Sequence, residues 1–156
     1  KILYLWSPKK QPMPYQHESS LGRLTQLASK SMGHRLDALF DEAQLPYTSD
    51  NWTVLSFLHR FTSANQRDIA YFMGKDKVTL KRLLDKMEKE GLLSRTPWSE
   101  DRRYNIVALT SRGESVYNNL APFAEQVLQE ATEGIHQETI ESCQATLKEI
   151  ISNLTR

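Results

Sequence analysis

Apolar residues recur at helical spacing along most of this chain, and the spacing changes to a shorter period in only one place. Leu21, Leu24, Leu27, Ala28, Met32, Leu36, Leu39, Phe40 and Ala43 keep one face for about six turns. They predict a long first helix that ends before Pro46. Ser49 can cap a second helix bearing Trp52, Leu55, Leu58 and Phe61. Asn65 can cap a third, with Asp68 at its third position in a capping-box-like arrangement and Ile69, Ala70, Phe72 and Met73 on its apolar side. Gly74 then permits a left-handed turn, and Asp76 can cap a fourth helix two residues later. Leu80, Leu83, Leu84 and Met87 fall at i, i+3, i+4 and i+7 on that helix, and Gly91 ends it.

The period now shortens. Leu92 to Thr96 read as a first strand, whose edge or end Pro97 marks. Tyr104 to Leu109, with Ile106, Val107 and Leu109, read as a second. Trp98 to Arg103 form the charged loop between them. Thr110 or Ser111 then caps a long helix carrying Val116, Leu120, Phe123, Val127 and Leu128. Pro122 is expected to kink it unless the local backbone adjusts, and Gly134 to break it. Ile140, Cys143, Leu147, Ile150, Ile151 and Leu154 form a narrow stripe on a final helix. At the other end, Pro8, Pro12 and Pro14 argue for an extended arm over residues 1–18. Its Ile2–Trp6 run is costly to leave in water and is expected to pack against the protein or a dimer partner.

The polar faces carry the chemistry. At 100° per residue, Val78 and Arg82 lie nearly opposite the apolar stripe of the fourth helix, with Lys81 and Lys86 on its flanks. Lys75, Lys77, Lys81, Arg82 and Lys86 concentrate positive charge there, and Val78 is an apolar residue in the middle of a polar face, suited to a thymine methyl. A solvated surface helix would also place charges outward. Helix, glycine turn and basic helix, however, form the helix-turn-helix pattern. In the loop, an arginine at the tip suits the negative potential of a narrow minor groove, and Asp101 can hold a neighbouring guanidinium in a fixed fork. The bland alternative is a solvated turn with a weak surface ion pair. The pattern as a whole predicts a mainly α fold in which a helix-turn-helix is followed by a small β-hairpin.

Charge distribution sharpens this picture. The 156 residues carry a net charge of only +1. Residues 74–104, however, hold nine Lys and Arg against six Asp and Glu, a net +3, whereas residues 105–156 hold three against seven, a net −4. The positive excess sits on the predicted reader. It is modest, so tight binding at physiological salt is expected to need two copies. A lone cysteine, Cys143, excludes an internal disulfide and a zinc set, and its place in an apolar stripe predicts burial and low reactivity. His17, His34, His59 and His136 are scattered, so no metal site is expected. No apolar run approaches the ~20 residues of a membrane span, and the cytoplasm is the default location. No nucleophile–base arrangement, phosphate loop or carboxylate pair suggests an enzyme, and no cofactor is expected.

Residues 66–114 resemble the DNA-binding half of the MarR (multiple antibiotic resistance regulator) transcription factors. The matching pieces are QRDIAYFMG, VTLKRLLDKMEKEGLLSR and the wing pattern Asp101-x-Arg103-x-x-x-Val107-x-Leu109-Thr110. The helix layout extends the resemblance from about Leu21 to Leu154. It implies a mainly α fold with a small β-hairpin wing, a winged helix-turn-helix with N- and C-terminal dimerisation helices, acting as a homodimeric repressor on double-stranded, pseudo-palindromic operator DNA. Arg103 would enter the minor groove, oriented by Asp101, and Lys77, Val78, Thr79, Lys81 and Arg82 would face the major groove. Gln66, Lys75, Lys86, Arg95 and Arg102 complete the expected DNA-facing set. Asp76 stands where the family commonly has serine, and is expected to cap rather than to meet phosphates. The resemblance also implies a small aromatic or anionic effector held near His34, Arg35, Trp52 and His59. The implied division is an arm at 1–18, N-terminal helices at 19–62, a DNA-binding lobe at 63–110 and dimerisation helices at 111–156, all in one compact domain. The competing expectation is a winged-helix protein-interaction module without sequence-specific DNA binding.

Overall fold

The computed structural model describes residues 20–97 and 105–155. The expected arm at 1–18, the loop from Trp98 to Arg103, and Tyr104 therefore lie outside the described residues. The elements run α1 (Leu21–Glu42), α2 (Ser49–Phe61), β1 (Ser63–Asn65), α3 (Gln66–Met73), α4 (Lys77–Lys89), β2 (Leu93–Pro97), β3 (Asn105–Leu109), α5 (Ser111–Thr132) and α6 (Gln137–Leu154). The chain divides into two compact units, 1–31 and 32–156. Of the first, the described part is the opening stretch of α1, where Leu21, Leu24 and Leu27 are all exposed.

The second unit holds the core. Leu36, Leu39 and Phe40 of α1 join Val54, Leu55 and Leu58 of α2, Ile69 of α3, and Leu80, Leu84 and Met87 of α4. Leu92, Leu93 and Val107 close it from the sheet side, and Leu120 and Val127 from α5. The edge-to-face pair of Phe40 and Phe123 fixes α1 against α5, with ring centroids 5.7 Å apart.

Helix ends follow local side-chain chemistry, with one displacement. The α2 cap is Thr48, one residue before the expected Ser49. Asn51 Oδ1 accepts from Thr48 N at 2.9 Å, completing a capping box. Ser49 is diverted: its N–H and hydroxyl both donate to the Asp37 carboxylate of α1, at 2.6 and 3.2 Å. Asn65 caps α3 by accepting from Asp68 N at 2.9 Å, and Thr110 caps α5 by accepting from Gly113 N at 3.1 Å. α5 continues through Pro122 to Thr132 and is not broken there.

The sheet is antiparallel in the order β1-β3-β2. β3 pairs with β2 from Leu93↔Leu109 to Pro97↔Asn105, and with β1 from Ser63↔Ala108 to Asn65↔Ile106. The hairpin thus has a third strand that no apolar run announces. α6 buries no residue. Cys143 lies on it and is exposed, contrary to the expected burial, because none of the described residues covers that part of the helix.

Candidate nucleic-acid interface

The helix-turn-helix is built by two caps and a glycine. Gly74 takes φ +61, and Lys75 N donates back to Ala70 O at 3.1 Å, closing the end of α3. Asp76 opens α4: its Oδ1 accepts the N–H groups of Val78 and Thr79, each at 2.9 Å. Its Oδ2 accepts the Thr79 hydroxyl at 2.6 Å. The Thr79 hydroxyl bond is the main cause that holds the Asp76 carboxyl below its ordinary pKa, and the backbone donors add to it. Asp76 is therefore a cap, as expected. The Thr79 proton is committed to it, so the exposed Thr79 oxygen offers only lone pairs outward.

Burial along α4 separates its two faces. Leu80, Leu84 and Met87 are 1% exposed or less, and Leu83 is half-buried against the core. Lys77, Thr79, Lys81, Arg82 and Lys86 are exposed, and Val78 is 60% exposed. A valine so open in the centre of a basic face has no packing role within the described chain. Lys77 and Arg82 make no hydrogen bond or ion pair among the described residues. Lys81 pairs with Asp85 at 2.6 Å and Lys86 with Glu90 at 3.8 Å, each one turn along the helix. Lys75 is drawn to Asp50 of α2 at 3.0 Å.

A groove of about 440 Å³ runs between the start of α3 and α4, lined by Gln66, Arg67, Lys77, Leu80 and Lys81. Three of these five are cations. The sequence reading named Gln66 but missed Arg67, which is exposed and without a partner among the described residues. Its position in the QRDIAYFMG segment was the only signal. Arg95 is less open than a groove contact requires. Its side chain is 15% exposed, and its Nη1 donates to Asp85 at 2.6 Å and Glu88 at 3.0 Å. Asp101, Arg102 and Arg103 lie outside the described residues.

The four residues suggested for an effector are partly gathered. Trp52 stacks on Tyr117 of α5 with ring centroids 5.2 Å apart, and His59 stacks on the same tyrosine at 3.9 Å. His59 Nδ1 also lies 2.8 Å from Glu114 Oε2. Tyr117 and Glu114 were not foreseen; they join α2 only through tertiary packing. Arg35 is committed elsewhere, since its Nε and Nη2 donate to both oxygens of Glu130 at 2.7 and 3.0 Å. That fork, with help from Gln126, pushes the Glu130 carboxyl down to about 2 and holds Arg35 more firmly protonated. His34 is exposed and is not bonded to the other three. Among the described residues, no three His, Cys, Asp or Glu side chains are grouped to hold a metal ion, and no helix is long and apolar enough to cross a membrane.

Comparison with known proteins agrees with this geometry. The MarR family model matches residues 47–104. The crystal structure of the transcriptional regulator PA3341 is 31% identical, with a TM-score of 0.75, covering 86% of this chain and 98% of that one. A cysteine-to-serine mutant of Escherichia coli MarR complexed with operator DNA is 21% identical, with a TM-score of 0.71, covering 83% of this chain and 92% of that one. Bordetella bronchiseptica BpsR, whose DNA binding is regulated by 6-hydroxynicotinic acid, is 21% identical, with a TM-score of 0.74, covering 88% and 96%.

Proposed function

Since the chain belongs to the MarR family of transcriptional regulators, we propose that it is a homodimeric repressor that reads a pseudo-palindromic operator and releases it when a small effector binds. The observation that carries the reading is the division of α4: one face is sealed in the core, and the other presents Lys77, Val78, Lys81 and Arg82 to solvent. A helix so mounted can enter a major groove about 12 Å wide without disturbing its own packing. In that pose Arg82 donates to a guanine edge, Val78 meets a thymine methyl, and Thr79 accepts from an adenine or cytosine amino group. Arg67, Lys77 and Lys81 around the α3–α4 groove neutralise a backbone phosphate. Gln66, Lys75 and Lys86 flank this contact, and Arg103, oriented by Asp101 beside Arg102, reaches the minor groove.

What supports the dimer is the surface that the described residues leave uncovered. An 18-residue helix with no buried residue, bearing Ile151 and Leu154 at 59% and 81% exposure, presents an apolar stripe suited to cover by a partner. A second copy supplies one and sets two reading helices for half-sites about one helical turn apart. For the effector, the Trp52–Tyr117–His59 stack offers an aromatic face, with Glu114 as an acceptor beside it. Binding there changes DNA affinity only insofar as the ligand favours one spacing of the reading heads.

The test is selection. Genomic fragments retained by the purified protein are sequenced. Recovery of an inverted repeat supports the reading. Recovery of fragments without a shared sequence overturns it in favour of a module that binds protein.

A further inference from the structure

Asp85 holds two cations that have different tasks. It lies one turn after Lys81 on α4, and its Oδ2 accepts from Lys81 Nζ at 2.6 Å. Its Oδ1 accepts from Arg95 Nη1 at 2.6 Å. Arg95 belongs to β2, and the same Nη1 also reaches Glu88 Oε2 at 3.0 Å. One guanidinium thereby ties two carboxylates of the reading helix to the first strand of the hairpin.

The two ends of this network differ in solvent access. The Lys81 side chain is 68% exposed and that of Arg95 only 15%. Arg95 Nε and Nη2 are sealed from solvent without a hydrogen-bond partner among the described residues, so the grip of this guanidinium on α4 rests on Nη1. The Asp85 carboxyl is held below its ordinary pKa, first by Lys81 and then by Arg95, and stays charged at neutral pH. The Lys81 end is loose and wet. The Arg95 end is stiff and nearly dry.

We propose that Asp85 is a positioning and specificity-determining residue: through Arg95 it fixes the wing strand against the reading helix, and through Lys81 it withholds a cation from phosphates that are not in register. The inference rests on the DNA-reading function proposed above. A duplex seated in register offers Lys81 a phosphate in place of the carboxylate. A duplex seated out of register offers none at the right place, so Lys81 stays neutralised and adds nothing to the counterion-release term. The carboxylate therefore opposes non-specific binding more than specific binding, a use of repulsion to discriminate between partners.

Fluorescence anisotropy on a selected duplex and a random one, across a range of salt, tests this. Asp85→Asn keeps the shape and removes the charge. It is expected to tighten the random duplex roughly five-fold, to steepen its salt slope by about one unit, and to lower the ratio of selected to random affinity about ten-fold. Glu90→Gln makes the same change of charge at the C-cap of the same helix, at the Lys86 pair, and is expected to leave the ratio within about two-fold. Arg95→Met severs the strand end alone, and is expected to weaken the selected duplex about ten-fold with the random one unchanged. An unchanged ratio and slope in Asp85→Asn overturns the proposal. So does a parallel loss on both duplexes with lowered thermal stability, the mark of a merely structural residue, or an equal fall in the ratio for Glu90→Gln. If the unaltered protein shows no preference between the duplexes, the DNA-reading function itself fails, and that is seen before any variant is made.

Discussion

Replacing Gly113 with alanine should destabilise this protein, although alanine is the better helix former. Gly113 is buried in the first turn of α5. A Cβ there would lie 2.0 Å from the Leu92 carbonyl oxygen and 3.0 Å from its carbon, with Leu109 Cδ2 at 3.3 Å. The obstacle is backbone, and that backbone is engaged: Leu92 O accepts from Thr110 N at 3.1 Å. Thr110 Oγ1 in turn donates to Gly91 O at 2.6 Å while accepting from Gly113 N. The end of α4, the end of β3 and the start of α5 are thus stapled at one point, and relieving the clash must open it. Overpacking of this kind costs about 1–3 kcal/mol, and loss of a buried backbone hydrogen bond about 1–3 kcal/mol. Higher helix propensity returns only ~1 kcal/mol. The net loss is about 1–5 kcal/mol, or roughly 2–20 °C in melting temperature for a chain of this length. Thermal and urea unfolding followed by circular dichroism measure it. A melting temperature equal to or above that of the unaltered protein would refute the argument, because it would mean that propensity outweighs a close approach that is not there.

Three further outcomes follow from the same structure. Arg82→Ala, on an exposed side chain without a partner among the described residues, should weaken a selected duplex about ten-fold or more while the melting temperature stays put; an unaltered affinity removes Arg82 from the reading face. Stability should fall on acidification: Glu130 titrates near 2 when folded, and Asp76 and Asp85 are also depressed. The unfolded chain then binds more protons below about pH 5, and the stabilisation present above the unfolded values of about 4 drains away as pH falls through the folded ones. Urea midpoints measured against pH should show this slope, and Glu130→Gln should flatten it; an identical slope in the variant counts against the Arg35 fork. Finally, sedimentation should show a dimer that Ile151→Glu, at a position 59% exposed in the single chain, converts to monomer. A variant that stays dimeric places the interface elsewhere.

The legible parts of this fold are those set by neighbours in sequence. Asn65, Asp76 and Thr110 cap N–H groups within three residues of themselves, and Gly74 closes its turn on the last residues of α3, so caps and turn could be read directly. The Leu80–Met87 stripe likewise fixed which side of α4 goes inward. What escaped depends on distant partners. β1 is three residues, Ser-Ala-Asn, and exists because β3 offers an edge to pair with; its composition carries no strand signal. The α2 cap moved by one residue because Asp37, twelve positions away, claims Ser49. Arg95 reads as another surface cation until the fold sets it against Asp85 and Glu88. Cys143 was misjudged for the opposite reason: a stripe of apolar residues reads as a covered face, and here none of the described residues covers it.

The central claim is that the solvent face of α4 recognises a DNA sequence. Anisotropy titration of the purified protein on a duplex selected from its retained fragments, against a shuffled duplex of equal composition, tests it most directly between 50 and 200 mM salt. The account predicts roughly a thousand-fold preference or more for the selected duplex, and affinities on both that drop steeply as salt rises. Equal affinity for the two duplexes, or binding indifferent to salt, would contradict it.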